Sequence, residues 1–420
     1  MIKVEKYEVV TPLMHEPPTQ WTRSSLQGTE PAKKKARRWM RREALRSHNE
    51  NTGKGWAVEI VNDAREFSLL AGEWNLLAQK FQSPLLSYEW FAACADAFCP
   101  PAKLLFVVLR LKGEMAAGAP LVLVRTDGVE RLELLGTSLL REPSGYVYRD
   151  EESLQRLLAI ITAMRKPMIV GRLPLDALES VIIKNELRFP SVVTLKEGSR
   201  APSITITSSW EEFEKGISAS RRSSLRRARR HAEEFGTVEF QIITPEPYNV
   251  DNHLEEIFRV EAAGWKERNG TSMRSIQELK RFFVLYARTA ARSGILRTCY
   301  LRINGTVVAA QLGVEYAERF WTFKVGYDEA FAHCSPGTLL MHEAIRYAFV
   351  HRLKSFEFLG NDEPWIRVWT DNACACITYR MYPWTIDGVL ALGQDMSLRL
   401  LRRFKAWRKR LDARSAKYHA

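Results

Sequence analysis

The segment Gly326–Leu353 places Ser335-Pro336-Gly337 between a strand-like run and a helix with one apolar face. A helix launched from a glycine-containing loop offers unpaired backbone N–H groups and the positive end of its dipole, which suit a phosphate or another anion. The same pattern also describes a plain loop-to-helix junction. A second stretch able to do chemistry is RRSSLRRARR, with arginines at 221, 222, 226, 227, 229 and 230 and only Leu225 and Ala228 as apolar anchors. Two readings stay open there: a solvated helix face, or recognition of phosphates by guanidinium forks, which bind such oxygens bidentately. Cys334 beside His333 suggests a thiol nucleophile, but no third group orients the pair. His342, inside the helix, reads as structural.

These residues need a frame, and 420 residues suffice for two or three domains. A hydrophobic share of 46% with 26% charged residues describes a soluble, globular chain. The net charge of +13 favours anionic partners without choosing among nucleic acid, phosphorylated small molecules and acidic lipid. Six cysteines without a CxxC pair point to neither a zinc site nor a disulfide framework, and no metal is expected. No apolar run reaches bilayer-spanning length and the first residues lack a signal-peptide core, so the expected location is cytoplasmic.

Residues 1–55, with the run KKKARRWMRR, read as a disordered basic tail. Beyond it lies an internal repeat. Leu104–Gly136 and Leu296–Gly326 each read as three strands joined by tight turns, the first turns being Lys112-Gly113 and Asn304-Gly305. The middle strands are predicted over 114–124 and 306–316. In the second copy, helices are expected within Ser209–Gly236, Asn252–Gly270 and Ser275–Gly294, the last closed by Gly294 as its C-cap. After the meander come the Ser335-Pro336-Gly337 loop, a helix to about His351, the strand SFEFLG and a closing segment through CITYRMYP.

This order of elements resembles the acyl-CoA N-acyltransferase (GNAT) fold. Three segments carry a narrower resemblance: ASRRSSLRRARRHAEEFGTVEF, VGYDEAFAHCSPGTLLMHEAIRYA and FEFLGNDEPWIRVW. Together with FQSPLLSYEWFAACADAF they are similar to the acetyltransferase-like CelD/BcsL family associated with bacterial cellulose synthesis, a relative of the FemAB peptidyl transferases. Two positions depart from that family's pattern: Asn361 stands where a glycine is usual, and Ile366 where a lysine is usual. The loop also has Gly337 without a second glycine.

The resemblance implies an α/β protein with tandem GNAT-like domains, their mixed, mostly antiparallel sheets flanked by helices. It divides the chain into a degenerate first domain at 56–197, an acyltransferase domain at 198–387 and a basic amphipathic C-terminal helix at 388–420. The implied reaction moves an acyl group from acetyl-CoA or another acyl-CoA to an amine or hydroxyl, in cell-envelope or exopolysaccharide synthesis. Lys324 and Val325 would meet the acyl and pantetheine arm, and Ser335, Gly337, Thr338 and Leu339 the pyrophosphate. Arg221, Arg222, Arg226, Trp265 and Trp365 would hold an anionic acceptor such as a phosphorylated or lipid-linked saccharide.

Glu363 or Asp362 would accept the acceptor's proton, with Tyr327 as donor or positioning group. The alternative for both acids is capping a helix that starts at Pro364. Two other functions remain open: a non-catalytic protein holding nucleic acid or membrane on its basic surface, and a FemAB-like transferase using aminoacyl-tRNA. The C-terminal helix, with Leu400, Phe404, Trp407 and Leu411 on one face, either lies at the inner face of a membrane or packs on the domain.

Overall fold

The computed structural model describes residues 55–99, 103–126, 128–185, 191–198, 200–264 and 273–418. The expected tail, apart from Gly55, and Trp265 lie outside the described residues. Two sheets organise the chain. The first runs β1 (Trp56–Val61), β2 (Leu104–Leu111), β3 (Glu114–Thr126), β4 (Val129–Leu134), β6 (Met168–Pro174), β15 (Cys376–Pro383) and β7 (Ser191–Glu197), with the short β5 (Val147–Tyr148) paired to β3. The second runs β14 (Ala373–Cys374), β8 (Ala201–Thr205), β13 (Ser355–Glu357), β12 (Arg319–Tyr327), β11 (Thr306–Tyr316), β10 (Leu296–Ile303) and β9 (Val238–Ile243).

The repeat is therefore structural. Each copy contributes an edge strand, a three-strand antiparallel meander and a strand parallel to the meander's last, β6 on β4 and β13 on β12. The hairpin turns are made as the sequence predicts, with Lys112 and Gly113 at φ 52° and 90° and Asn304 and Gly305 at φ 48° and 76°. Positive φ at both central residues matches the right-handed strand twist. One strand crosses between copies. β8, which precedes the second meander in the chain, stays in the second sheet and pairs with β13, while β15, which follows the meander, enters the first sheet between β6 and β7.

Both sheet faces are covered, and the strands read accordingly as nearly continuous apolar runs. In β2, Leu104, Phe106 and Val108 face one core while Leu105, Val107 and Leu109 face another, the alternation that a pleated strand imposes. The helices that matter are α1 (Tyr88–Phe98), α2 (Glu151–Ala163), α3 (Trp210–Gly216), α4 (Ala219–Glu234), α5 (Val250–Ala262), α6 (Gln277–Arg292), α7 (Pro336–Val350) and α8 (Ile386–Tyr418). α2 starts at Asp150, whose side chain accepts the Ser153 N–H, and buries Leu154, Leu157, Leu158 and Ile161 under the first sheet. α6 ends as its sequence predicts: Gly294 sits at φ 68°, and the Ile295 and Gly294 amides return to the carbonyls of Ala290 and Ala291.

One core joins the copies. Trp90 on α1 meets Phe282 and Tyr286 on α6 edge-on, with ring centroids 4.9 and 5.1 Å apart, and lies 5.5 Å from Phe323 on β12. The expected helix over Ser209–Gly236 is two helices, because Ser218 caps the Arg221 amide and starts α4 afresh. Arg222 then turns back, its guanidinium donating to the carbonyls of Glu214, Lys215 and Ile217 at the end of α3.

α8 begins at Ile386 and is anchored by Asp395, which is buried and takes hydrogen bonds from Arg131, Arg380 and Tyr382. Past that point Leu400, Phe404 and Trp407 are each more than half exposed, so this apolar face does not pack on the domain. No helix among the described residues is long and apolar enough to cross a membrane.

Candidate active site between the two copies

β12 and β13 run parallel for three pairs only, Arg319 with Ser355, Phe320 with Phe356 and Trp321 with Glu357. Beyond them the strands diverge, while β12 stays laddered to β11 as far as Tyr327. Two local features open this notch. On β12 the register jumps from Gly313–Thr322 to Leu312–Lys324, leaving Phe323 as an extra residue that bends and twists the strand. A Cβ on Gly313 would lie 2.5 Å from the Trp321 carbonyl, so the close approach at the bulge requires glycine. On the other side the chain leaves β13 through Leu359 and Gly360, both left-handed at φ 57° and 56°.

The first copy fills the mouth of the notch with charge. Glu142, on the loop after β4, accepts the Gly360 amide at 2.7 Å. Arg172, on β6, donates to the Gly360 carbonyl at 2.5 Å and to Asn361 Oδ1 at 2.9 Å. Glu142 is buried, and burial raises its pKa above the ordinary glutamate value, against the opposing effects of the Gly360 N–H and the nearby Lys324 and Arg172 cations. Lys324 is the first residue past the bulge and lies 5.4 Å from the Phe283 ring.

Arg141 and Arg172 are left-handed like Leu359, so strained backbone gathers where the copies meet. The Cys376 thiol is lowered below the ordinary cysteine value by its interaction with Cys374, with the Arg172 charge acting in the same direction.

Of the residues expected from sequence, Lys324 and Val325 lie on the diverging part of β12. Tyr327 is half-buried, its phenol pushed up by burial, and its ring covers Gly337, where a Cβ would sit 3.1 Å from a ring carbon. Ser335 is left-handed at φ 49°, and its carbonyl accepts the Thr338 and Leu339 amides at 3.0 and 3.2 Å. Since Pro336 has no N–H, the first amide of α7 is that of Gly337. Leu339 is buried in the core under α7.

Asp362 is held by Arg367 at 3.0 and 3.1 Å, and Glu363 accepts the indole N–H of Trp365 at 2.6 Å. Turns, not a helix, follow Pro364. Ile366 and Trp369 are buried core residues, so position 366 serves packing in this chain. Cys334 is buried with its thiol pushed up, the opposite of what a nucleophile needs. His342 contacts Glu214 at 3.3 Å.

Arg222 and Arg226 line a cavity of about 780 Å³ beside α7 together with Arg229 and Arg230; Arg221 is exposed outside it. The residues that sequence reasoning missed are Glu142 and Arg172. Arg172 left a signal, an arginine inside the otherwise apolar run MIVGRLP. Glu142 left none, since REPSG reads as an ordinary loop.

Residues 219–367 match the model of the acetyltransferase (GNAT) domain. Among solved structures, the C-terminal domain of a candidate lysylphosphatidylglycerol synthetase from Agrobacterium fabrum is 11% identical, with 80% of this chain and 98% of that one covered and a TM-score of 0.50. FemX is 10% identical, with 78% and 97% covered and a TM-score of 0.48. A tandem GNAT protein from the clavulanic acid biosynthesis pathway is 12% identical, with 78% and 98% covered and a TM-score of 0.40. No curated protein matches the sequence.

The architecture is thus a tandem GNAT-like α/β fold, with the matched residues 219–367 lying in its second copy. The raised pKa of Glu142 has a consequence for stability. The neutral acid is favoured in the folded state, so its contribution is fully present below the ordinary glutamate pKa and is lost as pH rises through the raised value. Glu142→Gln keeps an acceptor for the Gly360 amide and removes the titration. Its melting temperature is expected to match the parent's at pH 4.5 and to equal or exceed it at pH 8; a deficit that grows with pH would show that Lys324 and Arg172 favour the carboxylate more than burial disfavours it.

Proposed function

We propose that the chain is an acyltransferase that moves an acyl group from acyl-CoA to an amine or hydroxyl acceptor at the notch between β12 and β13, with Glu142 as proton acceptor. The observation that carries this reading is the buried Glu142 carboxyl from one copy set against the diverging strands of the other. A thioester held along β12 would lie beside Lys324, whose ammonium favours negative charge developing on the carbonyl oxygen. The acceptor attacks that carbonyl; its C–N or C–O bond forms as the C–S bond breaks. The acceptor's proton passes to Glu142, and the departing thiolate is protonated in turn. A carboxyl whose pKa burial has raised suits this exchange better than an exposed one.

Arg172 is a positioning residue in this scheme, fixing Gly360 and Asn361. Tyr327 shapes the floor of the anion site at Gly337. Asp362 and Glu363, one and two residues past Asn361, are the competing proton acceptors. The division at 56–197 and 198–387 is kept as the two units of the enzyme, with one strand, β15, crossing from the second unit into the first sheet. The sequence resemblance to the CelD/BcsL pattern and the basic surface support an anionic envelope or exopolysaccharide precursor as acceptor. The exposed apolar face of α8, flanked by Arg399, Arg403 and Lys405, supports peripheral contact with anionic lipid.

Steady-state release of CoA with a panel of amine and saccharide acceptors tests the reaction. Glu142→Gln is expected to lower kcat by about 10²- to 10⁴-fold with acyl-CoA affinity nearly unchanged, and to remove an acid limb of kcat/KM lying above the ordinary glutamate range. Unaltered turnover in Glu142→Gln, with loss in Asp362→Asn or Glu363→Gln, would transfer the role to those acids. Phe404→Ser with Trp407→Ser is expected to weaken retention on phosphatidylglycerol vesicles while leaving the melting temperature unchanged; equal retention would remove the membrane contact.

A further inference from the structure

The cavity of about 780 Å³ beside α7 shares no lining residue with the notch. Its walls are the end of α3, one face of α4, Phe240 on β9 and the second turn of α7. The cations in it are not equivalent. Arg222 is tied to the carbonyls that close α3, and Arg229 is paired with Glu233 at 2.9 Å and lies 5.1 Å from the Phe240 ring. Arg226 and Arg230 have no protein partner among the described residues, and neither has Lys215. Two acids also line the cavity, but neither is ion-paired with Arg226 or Arg230: Glu214 contacts His342, and Glu343 contacts His342 and Arg346.

Four residues apart on one helix, Arg226 and Arg230 stand side by side, about 5–6 Å between Cβ atoms, over a floor formed by Leu225, Leu339 and Phe240. A merely solvated charge run would leave its arginines on a convex face or paired to neighbouring acids. Here two guanidiniums project over a concave site with an apolar base and an aromatic edge.

We infer that this cavity binds a nucleotide-sized organic diphosphate, with the phosphates on Arg226, Arg230 and Lys215 and the apolar or planar part on Leu225, Phe240 and Leu339. The volume falls in the range of small-molecule sites. Planar forks bind phosphate oxygens in bidentate pairs, which explains arginine rather than lysine at both helix positions. The inference stands whether or not the notch transfers acyl groups. The same chemistry has two sources, the nucleotide end of an acyl-CoA and a separate nucleotide-linked acceptor.

Calorimetric titration of the full chain with inorganic pyrophosphate, ADP and CoA, at 50 and 200 mM salt, tests it. ADP is expected to bind more tightly than pyrophosphate, to weaken with salt, and to lose about tenfold or more in affinity in Arg226→Ala and in Arg230→Ala. Arg227→Ala, outside the cavity, should leave binding intact, and exposure of these side chains predicts little change in melting temperature. CoA displaced by ADP in the parent protein identifies the donor's own nucleotide; CoA and ADP binding together identifies a second substrate. ADP and CoA affinities unaffected by both arginine variants overturn the site. Binding of an RNA oligomer that depends on Arg226 and Arg230, with no ADP binding, overturns the small-molecule assignment in favour of a polymer.

Discussion

Everything at the candidate centre depends on the contact between Glu142 and the Gly360 amide, a buried carboxyl of one copy bonded to the backbone of the other. A parallel strand pair that ends after three residues leaves polar backbone in the interior, and such groups must be satisfied. Glu142 and Arg172 do this for the β13 side of the notch, accepting from the Gly360 N–H and donating to the Gly360 carbonyl. The same arrangement places a raised-pKa carboxyl, two cations and a bulged strand in one small volume. Perturbed titration and strained backbone together are typical of reactive sites.

That contact demands a fixed relation between the copies, and two features supply it. The aromatic core through Trp90, Phe282, Tyr286 and Phe323 spans both, so displacement of one copy would expose large rings. The crossing strand acts in the same direction: β15, which follows the second meander, is laddered into the first sheet between β6 and β7. Lys324 follows directly after Phe323, so the shared core holds one side of the notch while β6, paired to β15, holds Arg172 on the other.

How much of this could be read from sequence follows from the range of each interaction. Lys112-Gly113, Asn304-Gly305 and Gly294 act locally, through backbone conformations that few other residues adopt, and their turns and cap form as their types dictate. The two-copy architecture was legible because the meander repeats. The break at Ser218 was hidden because a serine inside an arginine-rich helical pattern carries the same signal as a solvent-facing one, until Arg222 folds back on α3. Glu142 and Arg172 reach residues 218 and 188–189 positions away, and no local pattern encodes such pairings. The partners of Asp362 and Glu363 are local, yet only the structure distinguishes which acids meet Arg367 and Trp365 and which acid is buried.

The central claim is that Glu142 is a reactive carboxyl completing a site on the neighbouring copy. Its titration by carbon-13 NMR of side-chain-labelled glutamate, with Glu142→Gln to assign the signal, tests that claim most directly. The account predicts a carboxyl that titrates above the ordinary glutamate range and whose signal moves when acyl-CoA is added. A signal titrating at the ordinary value, or one indifferent to acyl-CoA at saturating concentration, would contradict it.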